Sequence, residues 1–288
     1  MSDNVYSIYS RQNEPDILSA LLAQRRTYSR AKTILYRGVG ITLFLSVAAA
    51  FLTTYFASTQ LAALSTLLIV IAFFSLTWIQ GVSADTAERA AKIQQYIDTT
   101  LFLFPKVTLE LARNEIDRIK EQHPYSIESD PKGKLKNWYF EKLPEENFYR
   151  QIFLAQKVNV DYELRLREWF KNFNLVFAII VLLLFLVPAL FFNPQVSYVI
   201  AVFCCVFPLE QFFVTQYRNL RRNIKFLEKI NTVYNELDKS FDKDSDQELK
   251  DKLLSFQFMI YEHRKNCVLI PDWVYNRLNK QNSTTPPA

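Results

Sequence analysis

Glycine is scarce in this chain, with four in 288 residues, and that scarcity removes the Gly-rich loops that cradle phosphate in nucleotide-hydrolysing enzymes. There is no Gly-x-Ser-x-Gly elbow for a serine nucleophile. Histidine is rarer still, and His123 and His263 form no metal-binding pattern. Of the three cysteines, Cys204 and Cys205 are neighbours inside an apolar run and Cys267 stands alone. That leaves neither a disulfide framework nor a zinc spacing, so all three read as reduced thiols. These absences predict a protein that is not an enzyme and uses no cofactor or metal. Residues Met1 to Pro15 lack an apolar core and a small-residue cleavage site, so no secretory signal peptide is expected and the first membrane span directs insertion.

Charge is also missing, but only in places. Residues 39–57 and 61–79 carry none, and 173–192 and 196–214 repeat the pattern with Glu210 as the one exception. At about 1.5 Å per residue, a helix of such length covers roughly the ~30 Å hydrocarbon core of a bilayer. Half of all residues are hydrophobic and 24 are Phe, yet mean hydropathy is near zero because apolar runs alternate with charged ones. The net charge of +5, from 34 Lys and Arg against 29 Asp and Glu, selects no partner by itself. Only Ser58, Thr59 and Gln60 separate the first two spans, and only Asn193, Pro194 and Gln195 the last two, so each pair is an antiparallel hairpin.

Orientation follows from the flanks. Arg25, Arg26, Arg30, Lys32 and Arg37 precede the first span, and Arg89 and Lys92 follow the second. Arg165, Arg167 and Lys171 precede the third, and Arg218, Arg221, Arg222 and Lys225 follow the fourth. The positive-inside rule then places both termini and the middle segment in the cytoplasm. A shift of 132 residues superposes the two hairpins and aligns Leu22-Ala23-Gln24 with Leu154-Ala155-Gln156. If this is a duplication, both copies face the same way and an inverted-repeat transporter is disfavoured.

Helical periodicity continues beyond the spans. Leu21, Tyr28 and Leu35 precede the first, Ala87, Ala91 and Ile97 follow the second, Phe148, Ile152, Ala155, Tyr162, Leu166 and Trp169 precede the third, and Leu220, Ile224, Leu227, Tyr234 and Leu237 follow the fourth. The expected fold is therefore an all-α integral membrane protein, four transmembrane helices in two antiparallel hairpins, with a cytosolic helical bundle. Its expected divisions are a cytosolic N-terminal helix (1–37), hairpin 1 (38–80), a cytosolic helical segment (81–172), hairpin 2 (173–214), cytosolic C-terminal helices (215–280) and a disordered tail (281–288). Linkers are expected at His123 to Lys134 and, as a flexible link, at Ser240 to Gln247.

Several short motifs lie outside the spans: Ile8 to Pro15 (Ile-Tyr-Ser-Arg-Gln-Asn-Glu-Pro), Ala23-Gln24-Arg25, Asn137-Trp138-Tyr139 with Leu143-Pro144, Ala155-Gln156 through Asn159, Asp161 to Arg165, and Ile270-Pro271-Asp272-Trp273. In this order and topology, from about Ile8 to Leu278, they resemble the SMODS-associated four-transmembrane effectors of bacterial CBASS anti-phage systems. The resemblance implies a receptor. A partner nucleotidyltransferase makes a cyclic oligonucleotide, the soluble part senses it, and the membrane part disrupts the bacterial inner membrane. A cyclic di- or trinucleotide is thus the implied ligand and the lipid bilayer a partner, with no role for a DNA or RNA polymer.

Such an anionic ring needs cationic forks for phosphate and aromatic faces for bases. Within the motifs Tyr9, Arg11, Trp138, Tyr139, Arg150 and Trp273 have that chemistry, and Asn13 carries an amide able to read base edges. Each also has a plainer reading, since aromatics near a membrane surface are more often anchors or core and arginines there are usually orientation determinants. In the membrane, Glu210 is a candidate for an ion path or for snorkelling to the interface, and Pro188 and Pro208 are candidate hinges or packing residues. A stripe of small and hydroxylated residues, Gly38, Thr42, Ser46, Ala50, Thr53 and Ala57, fits helix packing or a wet pore lining. The leading expectation is a ligand-gated effector that acts as a homo-oligomer, because four helices are too few for a wide pore. The alternative is a membrane-tethered interaction scaffold without pore activity. A constitutive channel ranks last, since the short turns offer no selectivity element.

Overall fold

The computed structural model describes residues 7–55, 59–105, 110–122, 126, 130, 135–140, 147–192, 195–275 and 277. Every regular element among them is helical: α1 (Ile8–Arg11), α2 (Pro15–Tyr55), α3 (Thr59–Leu101), α4 (Glu110–Gln122), α5 (Phe148–Phe192), α6 (Val196–Ser240), a 3-10 turn (Phe241–Lys243) and α7 (Asp246–Lys265). Four of them are long and apolar enough to cross a membrane. The all-α, four-span expectation therefore holds.

The chain divides into two compact units. Met1–Arg30, Thr86–Arg165 and Asn223–Cys267 form the first, and Ala31–Asp85, Leu166–Arg222 and Val268–Ala288 the second. Helices α2, α3, α5 and α6 each contribute residues to both without a break. α3 runs without interruption through the Gly81 to Glu88 stretch.

The first unit is built as the periodicity demands. Ile17 and Leu21 of α2, Ile93, Ile97 and Leu101 of α3, Ile152 and Phe153 of α5, Leu227, Ile230 and Tyr234 of α6, and Leu253, Phe256 and Ile260 of α7 share one buried cluster. Gln24 and Gln156, aligned by the 132-residue shift, are both buried.

The expected flexible link from Ser240 to Gln247 is instead an ordered corner. Phe241 is buried against the Phe153 ring at a centroid distance of 5.5 Å. Ser245 and Glu248 form a reciprocal capping box at the start of α7, which satisfies orphan N–H groups that would otherwise favour fraying. The sequence contained this signal in its Ser-x-x-Glu spacing. The linker at 123–134 and the tail at 281–288 fall almost wholly outside the described residues, as do Ser58, Asn193 and Pro194 of the two turns. Thr59 and Gln60, expected in the first turn, already belong to α3.

The second unit is organised differently. Only 17% to 39% of each apolar window is buried, and the outward face carries Phe44, Phe74, Trp78, Leu184 and Phe191, the last 85% exposed. Such a surface is stable only in a solvent as apolar as itself, so these segments lie in lipid. The interior mixes large side chains such as Phe170, Phe212 and Phe213 with small ones such as Ala49, Ala72 and Ser65. A Cβ on Gly38 would stand 2.6 Å from Ile79 Cγ2, so α2 and α3 approach to a distance that only glycine permits. Thr42 and Ser46 are buried along the same stripe, and the Thr42 hydroxyl donates to the Gly38 carbonyl. In the protomer this part of the stripe serves packing; Ala57 lies outside the described residues.

Candidate functional site

The motif around α1 is held by side chains that act as surrogate backbone. Gln12 is fully buried. Its Nε2 donates to the Phe140 carbonyl at 2.7 Å, while its Oε1 accepts from the Tyr139 and Phe140 N–H groups at 2.9 and 3.2 Å. Asn13 repeats the pattern one residue on, donating from Nδ2 to Asn137 Oδ1 and accepting from the Asn137 N–H. Asn137 stands at φ 54°, a left-handed conformation that asparagine tolerates better than most side chains. These two motifs therefore pair with each other.

Arg11 completes the clasp. Its two terminal nitrogens donate to the Thr100 and Leu101 carbonyls, at 3.0 and 3.4 Å, which are orphan acceptors at the end of α3. A cation there also complements the helix dipole. The chain leaves α3 through Leu103 at φ 56°, with the Phe104 N–H reaching back to the Thr99 carbonyl.

Beneath the clasp lies a buried polar network that the sequence reading did not single out. Asp98 of α3 accepts from Arg264 Nη1 of α7, from the Tyr139 hydroxyl, and from Gln257 Nε2 at 2.8 Å. Gln257 Nε2 also reaches Gln95 Oε1 at 2.8 Å, and Gln257 Oε1 accepts from Gln156 at 2.9 Å. The Tyr234 hydroxyl donates to Gln156 Oε1 at 3.0 Å. One network thus joins α3, α5, α6, α7 and the 135–140 segment. Burial and then the Asp98 charge hold the Tyr139 phenol far above its ordinary value. Desolvation would lower the Arg264 guanidinium, but the adjacent Asp98 outweighs it and keeps it raised. Asp98 follows Gln95 by three positions on the buried face of α3, and on α7 Gln257 interrupts the run Leu253, Phe256, Ile260 while Arg264 follows it one turn later. Polar residues at core positions were the available sequence signal.

The candidate residues consequently differ in what they can still do. Arg11, Asn13 and Tyr139 have committed their polar groups to the clasp and network. Arg150 pairs with Asp238 at 2.6 Å and covers the Phe153 and Phe241 rings, joining α5 to α6. Trp138 is 42% exposed, and Tyr9 of α1 is partly exposed. Those two retain aromatic faces for a ligand. Trp273 belongs to the second unit, where its ring meets Trp169 and Phe173 edge-on.

Within the second unit a cavity of about 410 Å³ lies between α2, α5 and α6, lined by Val47, Phe51, Thr54, Leu184, Pro188 and Tyr198 among others. Its walls are mostly apolar and suit no phosphate. Tyr198 donates to Thr54 across it at 2.7 Å. Pro188 thus borders a void, whereas Pro208 is buried in helix packing. Glu210 forms no ion pair among the described residues, and its Oε1 is buried without a hydrogen-bond partner there. Among the described residues no three His, Cys, Asp or Glu side chains gather as metal ligands.

Comparison with known proteins gives two results. A family model described as the SMODS-associating 4TM effector domain matches residues 6–285. The chain is also 24% identical over 274 residues to a Bacillus cereus (strain VD146) protein named "Probable CBASS effector molecule", covering 92% of this chain and 90% of that one. No solved structure matches.

Proposed function

The chain belongs to the SMODS-associating 4TM effector family, and from that premise we propose that it is a membrane effector that senses a cyclic oligonucleotide and permeabilises the membrane as a homo-oligomer. One observation supports this most: all four long helices run unbroken from a packed, hydrogen-bonded unit into a lipid-exposed one. A ligand that reorders the first unit therefore acts on helices whose chain continues into the second.

The ligand, a cyclic di- or trinucleotide supplied by a partner nucleotidyltransferase, stacks its bases on the exposed ring of Trp138 and the partly exposed ring of Tyr9 beside the α1 clasp. Phosphate contacts fall to exposed cations of that corner, such as Lys136. Gating requires the ligand to prefer the active state, by about 5.5 kcal/mol to move a population from 1:99 to 99:1. The Lys and Arg flanks orient the chain with both termini in the cytoplasm of the bacterial inner membrane.

The test is dye release from liposomes that contain the purified protein, challenged with a panel of cyclic di- and trinucleotides. Release with one ligand is expected, and Trp138→Ala should raise the concentration required roughly 5- to 150-fold, the worth of one base–aromatic stack. Silence across the panel from folded, correctly oriented protein would transfer the assignment to a tethered scaffold.

A further inference from the structure

The residues after α7 read in sequence as part of the cytosolic C-terminal helices. They pack on residues that immediately precede the first and third spans. Tyr36 of α2 donates its hydroxyl to the Leu269 carbonyl at 2.9 Å. Lys32, one turn earlier, meets Asp272 at 2.5 Å and lies over the Tyr275 ring at 4.4 Å. Trp273 sets its ring edge-on against Trp169 and Phe173 of α5, at centroid distances of 5.8 and 5.0 Å, and Arg277 lies 5.7 Å from the Trp169 ring. Ile270 and Val274 are completely buried, so one face of the segment is fixed to the protein.

Two independent helices set the depth of this segment. Tyr36 precedes the first uncharged residue of its span by three positions, and Trp169 precedes its span by four. At ~1.5 Å per residue they stand about 5 and 6 Å outside the hydrocarbon, less if the helices tilt. The headgroup layer on each side is roughly 5–8 Å thick. Both contacts thus fall within it, on the side marked by the cationic flanks.

The segment's free face has the chemistry of that layer. Trp273 is 44% exposed, an amphipathic ring suited to the boundary between chain and headgroup. Arg277 is exposed and pairs with no carboxylate among the described residues, whereas Lys32 is answered by Asp272. We propose that residues 268–275, together with Arg277, form an interfacial anchor seated in the headgroup layer, with the Trp273 ring in contact with lipid and Arg277 beside an anionic lipid phosphate. Trp273 then belongs to the membrane surface and not to the nucleotide site.

The experiment reads the fluorescence that Trp273→Phe removes from the full-length protein in liposomes. Phenylalanine keeps the aromatic packing, and circular dichroism confirms that the helices are retained. The difference signal should be blue-shifted, quenched by lipids carrying a nitroxide near the headgroup, and little affected by a nitroxide at the chain end or by aqueous iodide. Quenching by iodide would overturn the proposal, as would a signal untouched by every quencher, which means protein covers the ring. In vesicles containing phosphatidylglycerol the shallow quenching should exceed that in pure phosphatidylcholine, and Arg277→Ala should abolish the excess. If headgroup charge makes no difference to the unsubstituted protein, the phosphate contact is refuted. No cyclic nucleotide enters this assay, so its failure is separate from failure of the gating proposal.

Discussion

Replacing Asp98 by alanine should damage the first unit more than any single change at its surface. The substitution leaves the Arg264 guanidinium buried without its counter-charge and takes an acceptor from both Tyr139 and Gln257. Removing one member of a buried pair typically costs about 3–5 kcal/mol. For a unit of this size each kcal/mol is worth roughly 2–4 °C, so the expected fall in Tm is about 6–20 °C. The assay is thermal unfolding in detergent, followed by circular dichroism at the helix band. The double variant Asp98→Leu with Arg264→Met should recover most of the loss, because apolar side chains of similar volume remove the stranded charge as well as the pair. A fall below about 2 °C for the single variant, or a double variant less stable than the single, would refute the view that the pair's charge balance holds these helices together.

Other expectations follow from the same contacts. Tyr139 and Tyr234 are both held above 10.0, so unfolded chains lose these protons first as pH rises. Their contribution is complete below pH 10 and is lost above it, and an alkaline titration of helicity should show stability falling from about pH 10 upward, less steeply in Tyr139→Phe. Gly38→Ala should destabilise the α2–α3 contact by roughly 1–3 kcal/mol through overlap with Ile79, and Ile79→Ala should restore it, read as thermal stability in detergent. Ser245→Ala breaks the capping box and should cost about 1 kcal/mol of unfolding free energy without changing ligand response.

Much of the architecture was legible because membrane segments obey a local rule. An apolar run long enough to cross the hydrocarbon core suffices to identify a span, three of them without a charge and the fourth with Glu210 alone, and among the described residues four helices are long and apolar enough. The apolar periodicity beyond each span was equally informative. Leu21, Ile97, Ile152, Leu166, Leu220 and Tyr234, picked out on spacing alone, are all buried.

The candidate site was far less legible. Motif residues were selected for having suitable donors and rings, but a side chain can serve a ligand only with groups its neighbours leave unused. Arg11 caps α3, Asn13 pairs with Asn137, Tyr139 bonds Asp98 and Arg150 is held by Asp238. The sequence separations are 89, 124, 41 and 88 residues, beyond the reach of any local pattern.

By itself, then, the sequence determined what depends on neighbours along the chain: helix, span, amphipathic face and the side on which the positive charges lie. Tertiary structure alone decided what depends on partners far apart in the chain. It placed Asp98 opposite Arg264, closed Gln12 onto the 139–140 backbone, and carried the C-terminal segment back to Lys32 and Trp169. The physical reason is that burial and hydrogen-bond partnership are properties of the packed chain, fixed only when elements distant in sequence exclude water together.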